Sequence, residues 1–124
     1  MGVTKQVQQA GNGVDRPSKG QIVAMEYKGF LYDPSKPDNK GDVFDSTENR
    51  GVFKTQIGIG RVIKGWDEGI IGTASTEGMS LGEKSTLTIT GDYAYGDRGF
   101  PGLIPPNATL IFDVTLKGID DKTA

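Results

Sequence analysis

The chain has 124 residues, with 14 Lys and Arg against 16 Asp and Glu and a formal net charge of −2. That length fits one domain with a single core, 1–124, and the balanced charge lacks the basic stripe of a nucleic-acid binder. Cysteine and histidine are both absent, which excludes Ser-His-Asp and Cys-His nucleophiles, disulfide scaffolds and zinc held by those ligands.

Glycine, at 19 residues, is about twice the roughly 7% norm and points to turns and strands rather than long helices. The first ten residues lack the apolar core of a signal peptide, and no apolar run approaches membrane length. Met1-Gly2 opens like a myristoylation signal, but Gln6 stands where Ser or Thr is wanted. Asn107-Ala108-Thr109 spells a glycosylation sequon, which without secretion is a chance match. The expected compartment is the cytosol.

Val3, Lys5 and Val7 alternate with Thr4, Gln6 and Gln8, a weak first strand ending before Gly11-Asn12-Gly13. Val23, Met25, Tyr27, Gly29 and Leu31 alternate with Ala24, Glu26 and Lys28, a better half-buried strand. The polar, turn-rich Asp33 to Asp42 segment reads as a solvated loop. Phe53, Thr55 and Ile57 predict another strand, closed by Gly58 and Gly60. Ile63, Trp66 and Ile70 share one helical stripe, with Gly72 as terminator. Gly72 to Gly78 is small and polar and reads as a second solvated loop. Ser85, Leu87 and Ile89 predict a strand, as do Leu110, Phe112, Val114 and Leu116. One short helix among about five antiparallel strands gives an α+β domain, a twisted sheet with the helix packed on one face.

Gly58-Ile59-Gly60 starts like a dinucleotide fingerprint, but Ile63 occupies the third glycine position and no parallel βαβ unit surrounds it. Gly82-Glu83-Lys84-Ser85 is not a phosphate loop, since Lys84 does not follow the required glycine. The carboxylates of Asp33 to Asp42 lack the alternation and terminal Glu of a calcium loop. No cofactor and no metal are expected.

The aromatic residues are more informative. On periodicity alone Tyr27, Phe44, Phe53, Trp66, Tyr95, Phe100 and Phe112 read as core. Against that, Tyr95 and Phe100 fall in Asp92 to Pro106, a run too rich in Gly and Pro for packed sheet. A lone Trp beside such a loop suggests a shallow apolar pocket with a few polar tips, a small-ligand or peptide site. A sugar platform on Trp66 and Tyr95 is a further reading.

Val62-Ile63-Lys64-Gly65-Trp66-Asp67-Glu68-Gly69, Phe44-Asp45-Ser46, Asp92-Tyr93-Ala94-Tyr95-Gly96, and Pro101 through Phe112 occur in that register along nearly the whole chain. Together they resemble a single-domain FKBP-type peptidyl-prolyl cis-trans isomerase, an immunophilin that binds tacrolimus and rapamycin. The resemblance implies a five-stranded antiparallel sheet wrapped around one short helix. It implies Trp66 as the floor under a bound proline ring, and Tyr27, Phe44, Val62, Ile63 and Phe112 as walls. Phe53 would close one side, with Leu103 and Ile104 at the loop edge. The Ile63 N–H and Tyr95 hydroxyl would donate to ligand carbonyls, and Asp45 would be held by Tyr27 and Arg50. Of these, Tyr27, Asp45, Trp66, Tyr95 and Phe112 are the implied catalytic set. Implied partners are proline-containing peptides and proteins, the macrolides, and calcineurin or the TOR kinase in drug-bound ternary complexes. No nucleic acid or membrane partner is expected, and the expected state is a monomer.

The chain also departs from the family pattern. The Asp33 to Val43 connection and the Gly72 to Gly78 loop are longer than usual, and Asn49 to Phe53 is one residue short. Arg61 stands where an acidic or neutral residue is commoner. Phe100 would favour an apolar residue before the substrate proline. The alternative to catalysis is a binding module that uses the same pocket, its altered rim docking on a protein partner.

Overall fold

A computed structural model describes residues 2–124. Its strands are β1 (Val3–Gln9), β2 (Ile22–Tyr32), β3 (Lys40–Ser46), β4 (Phe53–Gln56), β5 (Lys84–Ile89), β6 (Leu110–Ile119) and β7 (Lys122–Thr123). One α-helix, α1 (Lys64–Ile71), lies between β4 and β5. The strands form one antiparallel sheet in the order β1-β5-β6-β2-β3, with β4 also paired to β2 and β7 to β6. The α+β reading and the single short helix therefore hold. Among the described residues no helix is long and apolar enough to cross a membrane.

The long strand β2 explains the shape of the sheet. Its first half pairs with β4 and its second half with β3, on the same edge. Between those partners the chain leaves the sheet at Thr47, whose N–H donates to the Tyr27 carbonyl and whose hydroxyl accepts from the Tyr27 N–H. On the other side β2 faces β6, pairing Met25 with Leu116, Tyr27 with Val114 and Gly29 with Phe112. The alternation seen in the sequence is the core face: Val23, Met25, Leu87, Ile89, Leu110, Val114 and Leu116 are fully buried. Trp66 and Ile70 of α1 cover that face, as period-3.6 spacing requires.

Two close approaches depend on glycine. A Cβ on Gly65 would lie 2.4 Å from Ile89 Cγ2, so its absence lets α1 settle directly on β5. A Cβ on Gly29 would lie 2.7 Å from Phe44 Cζ and 2.9 Å from Phe112 Cε1. That missing methyl leaves room for two rings to meet over the middle of the sheet.

The structure corrects the reading of Asp33 to Asp42 as loop throughout. Pro37–Asn39 forms a short 3-10 turn, and β3 begins at Lys40, opposite Tyr32. Two register shifts along β3 destroy the period-2 pattern that would have announced it. Lys40 anchors this edge through Asp113 at 2.8 Å and by lying 5.4 Å from the centre of the Phe30 ring. The two-residue strand β7 was also absent from the expectation, being too short for any alternation. The rejected Gly82-Glu83-Lys84-Ser85 motif instead holds a buried ion pair, Lys5 to Glu83 at 3.0 Å. Burial pushes the Glu83 carboxyl up, but hydrogen bonds from Ser85, Lys5 and Ser80 outweigh it and hold it below its ordinary value.

Candidate active site

A cavity of about 500 Å³ opens where α1, β2, β3 and β6 converge, within the range of small-ligand sites. Its floor is Trp66, placed in the first turn of α1 with its ring nearly edge-on to three others. The ring centres are 5.1 Å from Tyr27, 5.5 Å from Phe112 and 6.2 Å from Phe53. Phe44 meets Phe112 in the same way at 5.4 Å. Edge-to-face contacts are the favoured geometry for aromatic pairs, so each ring fixes its neighbour. The Trp66 indole N–H is buried and finds no hydrogen-bond partner among the described residues.

Phe44 and Asp45 are adjacent in β3, yet both line the cavity. Neighbours in a regular strand point to opposite faces. Here Gly29 pairs with Asp45 while Phe30 pairs with Val43, so Phe44 is the extra residue of a β-bulge. The bulge turns both side chains inward. Asp45 accepts the Tyr27 hydroxyl at 2.7 Å and pairs with Arg50 at 2.7 Å. Burial, with the Asp45 hydrogen bond second, pushes the Tyr27 phenol up to about 12. It therefore remains a proton donor throughout the neutral range.

The wall of Val62 and Ile63 is held from behind by Asp67, which the sequence reading passed over. Its carboxylate accepts the N–H groups of Gly58 at 2.7 Å and Gly60 at 3.0 Å. An acidic residue in the first helical turn after a glycine-rich loop was the available signal, since such loop amides need acceptors. Ile63 itself caps α1, its carbonyl accepting from Trp66 at 3.0 Å. Its own N–H meets no protein acceptor among the described residues.

The remaining named residues divide. Tyr27, Phe44, Asp45, Phe53, Val62, Ile63, Trp66, Tyr95 and Phe112 surround the cavity, joined by Arg61, which had been noted only as a departure. Arg50 lies outside it and acts on Asp45. Phe100 also lies outside, its ring edge-on to Tyr95 at 6.1 Å. Leu103 is exposed on the same loop, whereas Ile104, expected at the loop edge, is buried in the core. Paired backbone bonds between Phe100 and Ile104, both 2.8 Å, close this loop, and Ile104 anchors it. Burial followed by the Asp45 charge raises the Tyr95 phenol.

Residues 13–117 match the family model described as FKBP-type peptidyl-prolyl cis-trans isomerase. The chain belongs to this family. FK506-binding protein 1A of Aspergillus fumigatus is 56% identical over 125 residues, covering 100% of both chains. The protein of Schizosaccharomyces pombe named peptidyl-prolyl cis-trans isomerase is 53% identical, again over 100% of both. The crystal structure of AtFKBP13 superposes with a TM-score of 0.82 at 38% identity, covering 94% of this chain and 91% of that one. As an FKBP-type peptidyl-prolyl cis-trans isomerase, the chain is an enzyme of a class that turns X-Pro bonds.

Proposed function

We propose that the cavity over Trp66 accelerates cis-trans rotation of X-Pro bonds by favouring the twisted amide, the chain acting as one isomerase domain. The observation that carries the proposal is the Trp66 floor, ringed edge-on by Tyr27, Phe53 and Phe112. Rotation is slow because the amide loses its resonance, a barrier of roughly 18–20 kcal/mol. The twisted carbonyl is less polar than the planar one, so an apolar cavity disfavours the planar ground states relative to the transition state. The Ile63 N–H and the Tyr95 hydroxyl are donors for substrate carbonyls, and Asp45 is held in place by Tyr27 and Arg50. An acceleration of ~10⁵ needs about 7 kcal/mol, the scale of desolvation plus one or two placed hydrogen bonds. No proton leaves carbon or nitrogen in this scheme, so an imidazole or thiolate is not required. The exposed Phe100 beside Tyr95 suits an apolar residue before the proline.

Tacrolimus and rapamycin-type macrolides are proposed to occupy the same cavity. The relatives named FK506-binding protein support that reading. The drug-bound rim is the surface proposed for calcineurin or the TOR kinase, with the monomeric, cytosolic state expected from the sequence. The alternative is a binding module in which catalysis is incidental, and the exposed side chains of Phe100 and Leu103 favour such docking. A rate assay on a Leu-Pro peptide, with and without tacrolimus, tests the main proposal. The expected result is acceleration abolished by the drug. Neither acceleration nor inhibition would end it, and drug binding without acceleration would select the module.

A further inference from the structure

Of the residues lining the cavity only two are charged, Asp45 and Arg61. Asp45 is already matched by Arg50 at 2.7 Å and accepts the Tyr27 hydroxyl. Arg61 is different. It is exposed, stands two residues ahead of Ile63 on the wall, and forms no ion pair among the described residues. The neighbouring Lys64 is turned elsewhere, 3.9 Å from Glu68 and over the Tyr93 ring at 4.4 Å. The mouth thus carries one uncompensated guanidinium, although the whole chain is net negative.

We infer that Arg61 selects substrates carrying an acidic side chain at the residue following the proline. The inference rests on the isomerase reading above, in which the residue before the proline passes the apolar Phe100. The residue after it is then left to the wall of Arg61 and Ile63. A guanidinium offers a planar fork of donors matched to a carboxylate, and an unpaired one at a cleft mouth also raises the local concentration of anionic ligands. The contact is the same in the planar and twisted states, so it lowers KM and leaves kcat alone. Because the pair remains open to solvent, the preference for Glu over Gln is modest, about 1.5- to 5-fold in kcat/KM. It shrinks in about 1 M salt, where the screening length is about 3 Å.

The test compares Leu-Pro-Glu, Leu-Pro-Gln and Leu-Pro-Lys peptides. Rates are measured by NMR exchange so that no protease specificity intrudes, using the full chain and its Arg61→Gln and Arg61→Glu variants. The quantity read is the ratio between peptides within each protein, which cancels any general change in activity. The parent is expected to rank Glu above Gln above Lys, through KM. Arg61→Gln should flatten the ranking and Arg61→Glu should invert it in favour of Lys. An active parent with no ranking overturns the inference while leaving the isomerase reading intact, and so does an Arg61→Gln variant that keeps the parent's ranking. A stronger ranking when the charge is moved to the residue before proline overturns the placement. A parent inactive on all three peptides overturns the isomerase reading and this inference with it.

Discussion

Trp66 and Phe112 at the floor of the cavity are 4% and 3% exposed, whereas Tyr95 and Phe100 beside its mouth are 38% and 51% exposed. The floor residues belong to the hydrophobic core as much as to the cavity. The mouth residues lie between β5 and β6, their rings edge-on to one another, and the Phe100–Ile104 bridge closes the chain just beyond Tyr95. The difference separates two kinds of constraint. On the proposed function, a change in the floor is expected to alter stability and chemistry together, because the same edge-on contacts would serve both. A change at the mouth can tune which chain enters while the core stays as it was.

The contrast breaks most visibly at the indole. Trp66→Ala is expected to cost about 3–5 kcal/mol in stability, by analogy with other large core truncations. The lower end of that range is expected, because the buried Nε1 has no hydrogen bond to lose. The same variant should lose about 10- to 100-fold in kcat/KM, equivalent to about 1.4–3 kcal/mol of transition-state stabilisation. Urea titration and the peptide assay check the two effects, and a stable Trp66→Ala variant with full activity would refute the idea that floor and core are one structure.

A smaller effect is expected at Gly29→Ala, which adds a single methyl 2.7 Å from Phe44 and 2.9 Å from Phe112. Overpacking of this kind costs about 1–3 kcal/mol, and here it pushes on both wall rings at once. Tacrolimus affinity, followed by the fluorescence of the sole tryptophan, should weaken with the loss of stability. Unchanged stability would mean that the rings yield freely, and the floor would then be softer than its contacts imply.

The smallest effect belongs to the mouth. Arg50 is exposed and the Asp45 side chain half-buried, so Asp45→Asn should change stability by only about 0.2–1 kcal/mol. Its clearer signature is in titration. The Tyr27 phenol, held near 12 against an ordinary 10.0, favours the folded state fully below its unfolded value. That contribution disappears as pH rises from 10 to about 12. Removing the Asp45 charge should lower the Tyr27 value only part of the way, since burial is the larger cause. Ultraviolet titration of the phenolate reads this directly; an unshifted curve in Asp45→Asn would show that the carboxylate contributes nothing.

Much of this was legible beforehand. β2, β5 and β6 alternate cleanly because one face of each is buried and the other is not, and α1 was marked by Ile63, Trp66, Ile70 and Gly72. β3 was hidden because its bulges shift the side-chain period and because Lys40 to Val43 are polar or exposed. The burial of Ile104 was hidden for a related reason: a Gly- and Pro-rich run says that the chain turns, not which of its residues turns inward. Arg61 could be seen to be unusual, but not to face the cavity without a charged partner. Asp67 was passed over as a brace: its place in the first helical turn after a glycine-rich loop was the one signal, since its partners are backbone amides.

What the sequence determined by itself was the family, the sheet with one helix, and the supply of rings around a single indole. Those follow from residue type and short-range period, which need no partner strand to be read. What only the tertiary structure decided was how those rings meet. The bulge at Phe44, the missing methyl at Gly29 and the closeness of Gly65 to Ile89 set the cavity's shape. Each concerns distances between segments far apart in the chain, and periodicity within one segment carries no information about the space across from it.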